Sequence, residues 1–317
     1  MTAASPIPAP GFRSVTDLDP AAIRAVIARA AELKAGRVTG PEARPLAGRS
    51  VVLLFEKPSL RTRISFEVGI HRLGGQAITL TGAEVGLGKR EAAADVARVI
   101  ERYADAIVAR VFRHGLLDEL AARVAIPVVN ALSDTEHPCQ ALADLMVIGE
   151  HLGALPGRRL VYVGDGNNVA ASLLLACASV GMHIRVVSPA GYAPDPAIVA
   201  RARALAAQSG SEVEIETDPA GAARGADAVY TDAWASMGQE DEAEARRVIF
   251  APYRVTEAML ATSPGALFLH CLPAHRGEEA EDAVLDGPRS VIFDQAEDRL
   301  WVQMALLERL IAGPRAG

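Results

Sequence analysis

LVYVGDGNNVAASLLLACASVGMHIRVV, residues 160–187, decides the fold. Leu160–Val163 is a short apolar run of buried-strand type, and a glycine turn, Gly164-Asp165-Gly166-Asn167-Asn168, ends it. Residues 168–180 then carry a helical pattern, and residues 183–187 return to a strand. A strand, a crossover helix and a second strand form a βαβ unit, which places the two strands parallel in one sheet.

The same alternation extends in both directions. Upstream, Ile23, Val26, Ile27, Ala30 and Leu33 have helix spacing, with Asp17 or Asp19 available as a cap. Ser50–Phe55 (SVVLLF) reads as a buried strand, followed by a helix over 59–72, a strand over 77–80, a helix over 91–103 and a strand over Ala106–Arg110. A helix over 115–123, a strand over Pro127–Asn130 and a helix over Pro138–Leu152 complete that set. Downstream, strands are predicted at 212–216, 228–232, 267–270 and 291–293, with a helix at 196–208 and a last amphipathic helix over Glu297–Ile311. The prediction is an α/β chain of two domains, each a parallel β-sheet flanked by helices on both faces. Residues 1–138 form the first domain, with the C-terminal helix (about 297–317) packing back on it; 138–152 connect, and 152–296 form the second.

Composition agrees. A length of 317 residues fits about two domains, and a chain that is 50% hydrophobic and 22% charged can fill two cores. The 32 Lys and Arg against 39 Asp and Glu leave a formal net charge of −7, which speaks against a nucleic-acid partner. No apolar run approaches the roughly 18 residues of a membrane span. Met1–Phe12 lacks a basic start and an apolar core, so it does not read as a secretory signal. Three cysteines, Cys139, Cys177 and Cys271, with no Cys-x-x-Cys pair, argue against a disulfide framework or structural zinc and for a reducing cytoplasm.

Ligands of open parallel sheets bind beyond the carboxyl ends of the strands, so the chemistry belongs in the segments that follow them. In F55-E-K-P-S-L-R-T-R63, Pro58 breaks the strand and Ser59 can cap the next helix. The N–H groups of Leu60, Arg61 and Thr62 would then face outward, and with the Arg61 and Arg63 guanidiniums would suit a phosphate. An ordinary capped helix with solvated arginines is the competing reading, and the segment is not a P-loop. In S133-D-T-E-H-P-C-Q-A-L-A-D144, His137 and Gln140 offer an imidazole and an amide one helical turn apart, or else merely open a helix. The GDGNN turn departs from a dinucleotide fingerprint at Val169 and at Ser188, where a ribose-binding acid would stand; it presents Asn167 or Asn168 to a small ligand instead. In Y230-T-D-A-W-A-S-M-G-Q239, Asp232 suits an ammonium group and Ser236 with its neighbours a carboxylate, while Gly238 and the charged stretch Glu240–Arg247 suggest a flap. In L269-H-C-L-P-A-H-R-G277, Cys271 stands at a strand end, open to a nucleophilic or an inert reading.

Taken together, HPCQALAD, GDGNN, D-x-W-x-S-M-G, HCLPAHRGEE and FDQAEDRLWVQMALL resemble the aspartate/ornithine carbamoyltransferase family over about residues 13–311, and the SMG loop with HCLP resembles its ornithine branch. The resemblance implies that the N-terminal domain binds carbamoyl phosphate, the C-terminal domain binds L-ornithine, and the products are L-citrulline and phosphate, as in arginine biosynthesis. It implies carbamoyl phosphate contacts from Ser59, Leu60, Arg61, Thr62, Arg110, His137, Gln140, Cys271, Leu272 and Arg299. It implies ornithine contacts from Asn168, Asp232, Ser236 and Met237, and catalytic parts for Arg110, His137 and Cys271. It further implies a cis Leu272–Pro273 peptide, a homotrimer or a multiple of trimers, and no cofactor or metal. The chain departs from the family's usual pattern at Leu60, where a Thr is common, and at Gly86, where a Gln or His commonly reaches a neighbouring subunit; Lys89 or Arg90 could substitute. The alternatives are another amine acceptor (N-acetylornithine, N-succinylornithine or putrescine), a nicotinamide-dependent oxidoreductase, and a non-catalytic binding protein.

Overall fold

The computed structural model describes residues 11–86, 91–235 and 242–313. The chain forms two compact units, Met1–Cys139 with Arg299–Gly317, and Gln140–Asp298.

The first unit runs α1 (Pro20–Lys34), β1 (Ser50–Phe55), α2 (Leu60–Arg72), β2 (Gln76–Thr81), α3 (Gly82–Val85), α4 (Ala93–Glu101), β3 (Ala106–Arg110), α5 (His114–Ala121) and β4 (Val128–Leu132). Asp19 caps α1 by accepting from the Ala22 N–H at 2.7 Å. The strands form one parallel sheet in the order β2-β1-β3-β4. Their apolar runs are buried as a covered parallel sheet requires, with Val52, Leu54, Ile107 and Ala109 packed against Ile100, Leu117 and Leu120 of the helices. The chain leaves β1 to one side for β2 and returns on the other side for β3. That reversal opens a crevice beyond the β1 and β3 carboxyl ends, where Phe55 and Arg110 stand in register.

Helix α6 (Pro138–Leu152) begins in the first unit and continues in the second. The second unit adds β5 (Arg159–Val163), α7 (Asn168–Val180), β6 (His183–Val187), α8 (Pro196–Ser209), β7 (Val213–Glu216), β8 (Ala228–Thr231), α9 (Ala243–Phe250), α10 (Glu257–Ala261), β9 (Leu267–His270) and α11 (Asp282–Leu285). Helix α12 (Ile292–Leu307) starts here and ends in the first unit. This sheet is also parallel, ordered β7-β6-β5-β8-β9, and its reversal lies between β5 and β8. Gly166, in the turn after β5, passes so close to the next loop that a Cβ there would lie 2.2 Å from the Pro194 nitrogen. Only glycine fits that approach.

Two sequence expectations need correction. Residues 291–293 are not a strand: residues 289–291 pair briefly beside Phe268, and the helix starts at Ile292 instead of Glu297. Ile292 is buried and Phe293 exposed, so the apolar triplet is the first turn of a one-sided helix. The charged stretch 240–247 could be read as a plain surface loop instead of a flap, and its described part is not loop from Ala243 on. It forms α9, and Arg246 within it is buried. Among the described residues, no helix is long and apolar enough to cross a membrane.

Candidate active site

Each sheet reversal carries a polar cluster. In the first unit, the chain leaves β1 through Pro58, and Ser59 caps α2 by accepting from the Thr62 N–H at 3.3 Å. That bond uses one of the three N–H groups expected to face outward, because the cap needs a donor from the third helical residue. The Thr62 side chain is fully buried, and its hydroxyl accepts from Arg299 Nη2 at 2.6 Å and from Arg110 Nη1 at 3.3 Å. Arg110 ends β3, Arg299 comes from α12, and both are more than nine-tenths buried. His137, before α6, is buried as well; burial and the charges of Arg299 and Arg110 hold its imidazole well below 6.5, so it is neutral at pH 7. Cys139 follows it, donating to the Asn130 carbonyl at 3.4 Å, and burial pushes its thiol up to about 12. The cluster thus joins a helix N-terminus, two buried guanidiniums and a neutral imidazole. That donor set suits a phosphate bonded to a polar carbonyl group.

In the second unit, Asn167 caps α7 with its side-chain oxygen, accepting from Val169 and Ala170, while its Nδ2 donates to Asp232 Oδ2 at 2.8 Å. The Cys271 thiol donates to the other Asp232 oxygen at 3.0 Å. Asp232 follows β8 and Cys271 follows β9, so two strand ends and the GDGNN turn converge on one carboxylate. The next residue, Leu272, has φ 59° and precedes a cis peptide to Pro273. His270 holds it: Nδ1 accepts the Leu272 N–H at 2.9 Å, which puts the ring proton on Nε2 facing Glu279 at 3.0 Å. His270 and Glu279 are fully buried. Burial alone would raise the Glu279 carboxyl, but its bonds to His270 and the His275 N–H outweigh that and hold it below 4.5.

Asp165 of the same turn is a structural acid. Burial pushes it up to about 6 against the pull of Arg246, whose Nη1 donates to Asp165 at 3.0 Å and to the Trp234 carbonyl at 2.9 Å. A soft metal could use Asp232, His270 and Cys271, whose ligand atoms lie within 4.8 Å of one another. It would have to displace one of the two bonds that occupy the nitrogens of His270.

The first unit therefore brings together Ser59, Leu60, Arg61, Thr62, Arg110, His137 and Arg299, and the second brings together Asp232, Cys271 and Leu272 beside Asn168 at the start of α7. Gln140 lies in the first turn of α6. Ser236, Met237, Lys89 and Arg90 lie outside the described residues. Gly86 closes α3 with φ 63°. Sequence reading missed the Asp165–Arg246 pair and the buried Glu279; no local pattern marks the first, and the second stands only as the unassigned acid of HRGEE.

Comparison with known proteins bears on both clusters. Residues 11–150 match the family model described as aspartate/ornithine carbamoyltransferase, carbamoyl-P binding domain. Residues 156–310 match the one described as aspartate/ornithine carbamoyltransferase, Asp/Orn binding domain. An ornithine carbamoyltransferase of Acidothermus cellulolyticus is 55% identical over 95% of this chain and 96% of its own. The solved ornithine carbamoyltransferase of Pyrococcus furiosus superimposes with a TM-score of 0.92 at 45% identity, covering 98% of this chain and all of the other. An N-acetyl-L-ornithine transcarbamylase variant superimposes with a TM-score of 0.86 at 32% identity, over 95% of this chain and 99% of its own.

Proposed function

We propose, from the premise that this chain belongs to the aspartate/ornithine carbamoyltransferase family, how its residues share the work of that reaction. The chain transfers the carbamoyl group from carbamoyl phosphate to the δ-amine of L-ornithine, giving L-citrulline and phosphate. The observation that carries the residue assignment is the Thr62 hydroxyl holding Arg110 and Arg299 together at the start of α2. Phosphate is held by the Ser59–Thr62 helix end with Arg61, Arg110 and Arg299. Gln140 and His137 take the carbamoyl group, and the family resemblance assigns Cys271 and Leu272 to carbamoyl phosphate as well. Ornithine is held by Asn168, Asp232, Ser236 and Met237.

A free alkyl ammonium titrates near ~10, so the site must accept ornithine with its δ-amine neutral. The nitrogen lone pair attacks the carbonyl carbon, forming the C–N bond and a tetrahedral oxyanion. Arg110 and neutral His137 donate to that oxygen, and preorganised donors of this kind are worth roughly 3–4 kcal/mol each. The C–O bond to phosphate then breaks, phosphate leaves onto the cationic cluster, and the nitrogen gives its proton to the departing phosphate oxygen. Cys271 acts as a polar contact: its thiol is already donated to Asp232. The Asp232 carboxylate pairs with the α-ammonium, which N-acetyl- and N-succinylornithine lack, and the Ser236–Met237 side takes the carboxylate, which putrescine lacks.

A trimer in the cytoplasm completes the reading. Its support is an exposed apolar stripe on α2, Leu60, Ile64 and Val68; sedimentation at three chain masses is the expected result. A colorimetric ureido-product assay with carbamoyl phosphate and a panel of amines tests the acceptor. In the same assay Arg61→Ala should cut citrulline formation by orders of magnitude with the fold intact, and near-normal turnover would sink the phosphate assignment.

A further inference from the structure

One acid of the HPCQALAD segment has no part in the mechanism above. Asp144 is fully buried on α6, one turn after Gln140. Its Oδ1 accepts two amide donors, Gln140 Nε2 at 2.8 Å and Gln295 Nε2 at 2.7 Å. A carboxylate oxygen only accepts, so both amides must point N–H groups at it. The amide of Gln140 is therefore oriented by chemistry: nitrogen toward Asp144, oxygen away. Its Oε1 is buried and has no hydrogen-bond partner among the described residues. A buried carbonyl oxygen without a partner is costly, so a bound donor is strongly favoured there.

Gln295 is equally constrained. Its Oε1 accepts the His270 N–H at 2.9 Å, so its Nε2 must face Asp144, with Tyr230 Oη a further 3.1 Å contact. In the run His270 N–H, Gln295, Asp144, Gln140, donation converges on Asp144 from both sides. The run starts at the strand end that carries Cys271 and Leu272 and finishes at Gln140.

We infer that Asp144 is a positioning residue: it and Gln295 lock the Gln140 amide with its oxygen presented, so that the enzyme reads the NH2 of the carbamoyl group and rejects acyl phosphates that carry a methyl in its place. The inference rests on the assignment of Gln140 to the carbamoyl group. A site that presents an acceptor discriminates against an analogue lacking the donor, because the buried acceptor is then left unpaired. An amide free to rotate would present its own NH2 as often as its oxygen, and the discrimination would fall.

The test is a double-mutant cycle on the full-length enzyme with Asp144→Ala, Gln140→Ala and the double variant. The readouts are kcat/KM for carbamoyl phosphate, KM for ornithine, and the inhibition constant of acetyl phosphate competing with carbamoyl phosphate. Asp144→Ala should lower kcat/KM for carbamoyl phosphate about 10-fold while acetyl phosphate inhibition changes less than about 2-fold. The double variant should be no worse than Gln140→Ala, and Asp144→Asn, which keeps an acceptor oxygen, should recover most of the loss. Losses that multiply in the double variant, or an equal fall in ornithine affinity, would overturn the inference by making Asp144 a general structural residue. If Gln140→Ala leaves kcat/KM unchanged, it is the assignment of Gln140 that fails. Should Asp144→Ala not fold, Asp144→Ser, too short to reach the amide, runs the same cycle.

Discussion

Replacing Arg246 by Met should destabilise the protein in a way that depends on pH, with a sign set by Asp165. Arg246 is buried, and its guanidinium donates to Asp165, to the Trp234 carbonyl and, through Nε, to Glu242 at 3.0 Å, while lying 5.0 Å over the Tyr192 ring. Burial raises the Asp165 carboxyl to about 6 from an ordinary value of 3.8, and Arg246 is what restrains the rise. A carboxyl raised by folding favours the folded state at low pH, and that contribution is lost as pH climbs through the folded value. Without Arg246 the folded value moves above 6 and the loss continues upward. At pH 8 the variant holds a buried acid without its cation, a defect costing about 3–5 kcal/mol. At pH 5 Asp165 is mostly protonated in both proteins, and only the other hydrogen bonds are lost, about 1–2 kcal/mol. At roughly 2–4 °C per kcal/mol for a domain of this size, thermal melts should fall about 6–20 °C at pH 8 and about 2–8 °C at pH 5. Adding Asp165→Asn to the variant should erase the pH dependence. Equal drops at the two pH values would refute the reasoning, since the buried acid would then not be the source.

Two further outcomes test the clusters separately. Asp232→Asn should raise KM for ornithine about 30- to 150-fold, the loss of a charge-assisted bond of about 2–3 kcal/mol, and leave carbamoyl phosphate binding within about 2-fold by calorimetry; a comparable loss for both substrates would contradict the ammonium assignment. His137→Asn should lower kcat but keep the wild-type shape of the rate profile between pH 6 and 8, because the imidazole, depressed well below 6.5, is already neutral across that window; a limb near 6.5 in the wild type that vanishes in the variant would show that the imidazole titrates there.

The strand ends were legible because they obey a rule of topology. Once SVVLLF and LVYV are read as buried parallel strands, the residues after them are where ligands go, and Ser59, Asp232 and Cys271 follow from position. What escaped reading was of two kinds. Val291-Ile292-Phe293 is too short for its period to show, so a strand and the first turn of α12 look alike until Phe293 is seen exposed. Pairings over long separations leave no local trace either: Arg246 sits in a run of charges that reads as solvated surface, and only the fold brings it to Asp165, 81 positions away. Asn167 was read as facing a ligand because a cap and a ligand contact use the same side chain. The structure gives its oxygen to α7 and its nitrogen to Asp232.

That last arrangement separates charges that serve ligands from charges that serve the fold. Asp165 meets Arg246, Arg29 meets Glu308 and Arg276 meets Asp286, each through opposite charges that lower the field the pair offers to anything else. Asp232 is instead oriented by an amide and a thiol, and the Thr62 hydroxyl accepts from both Arg110 and Arg299. A neutral partner fixes the direction of a charged group without cancelling its charge, so the free energy of meeting an ammonium or a phosphate is kept for the substrate. A chain of net charge −7 can still hold an anion because the total counts acids spread over the whole sequence, whereas the substrate meets a local cluster that includes Arg110 and Arg299. Replacing Thr62 by an acid would keep both arginines in place and still empty the site.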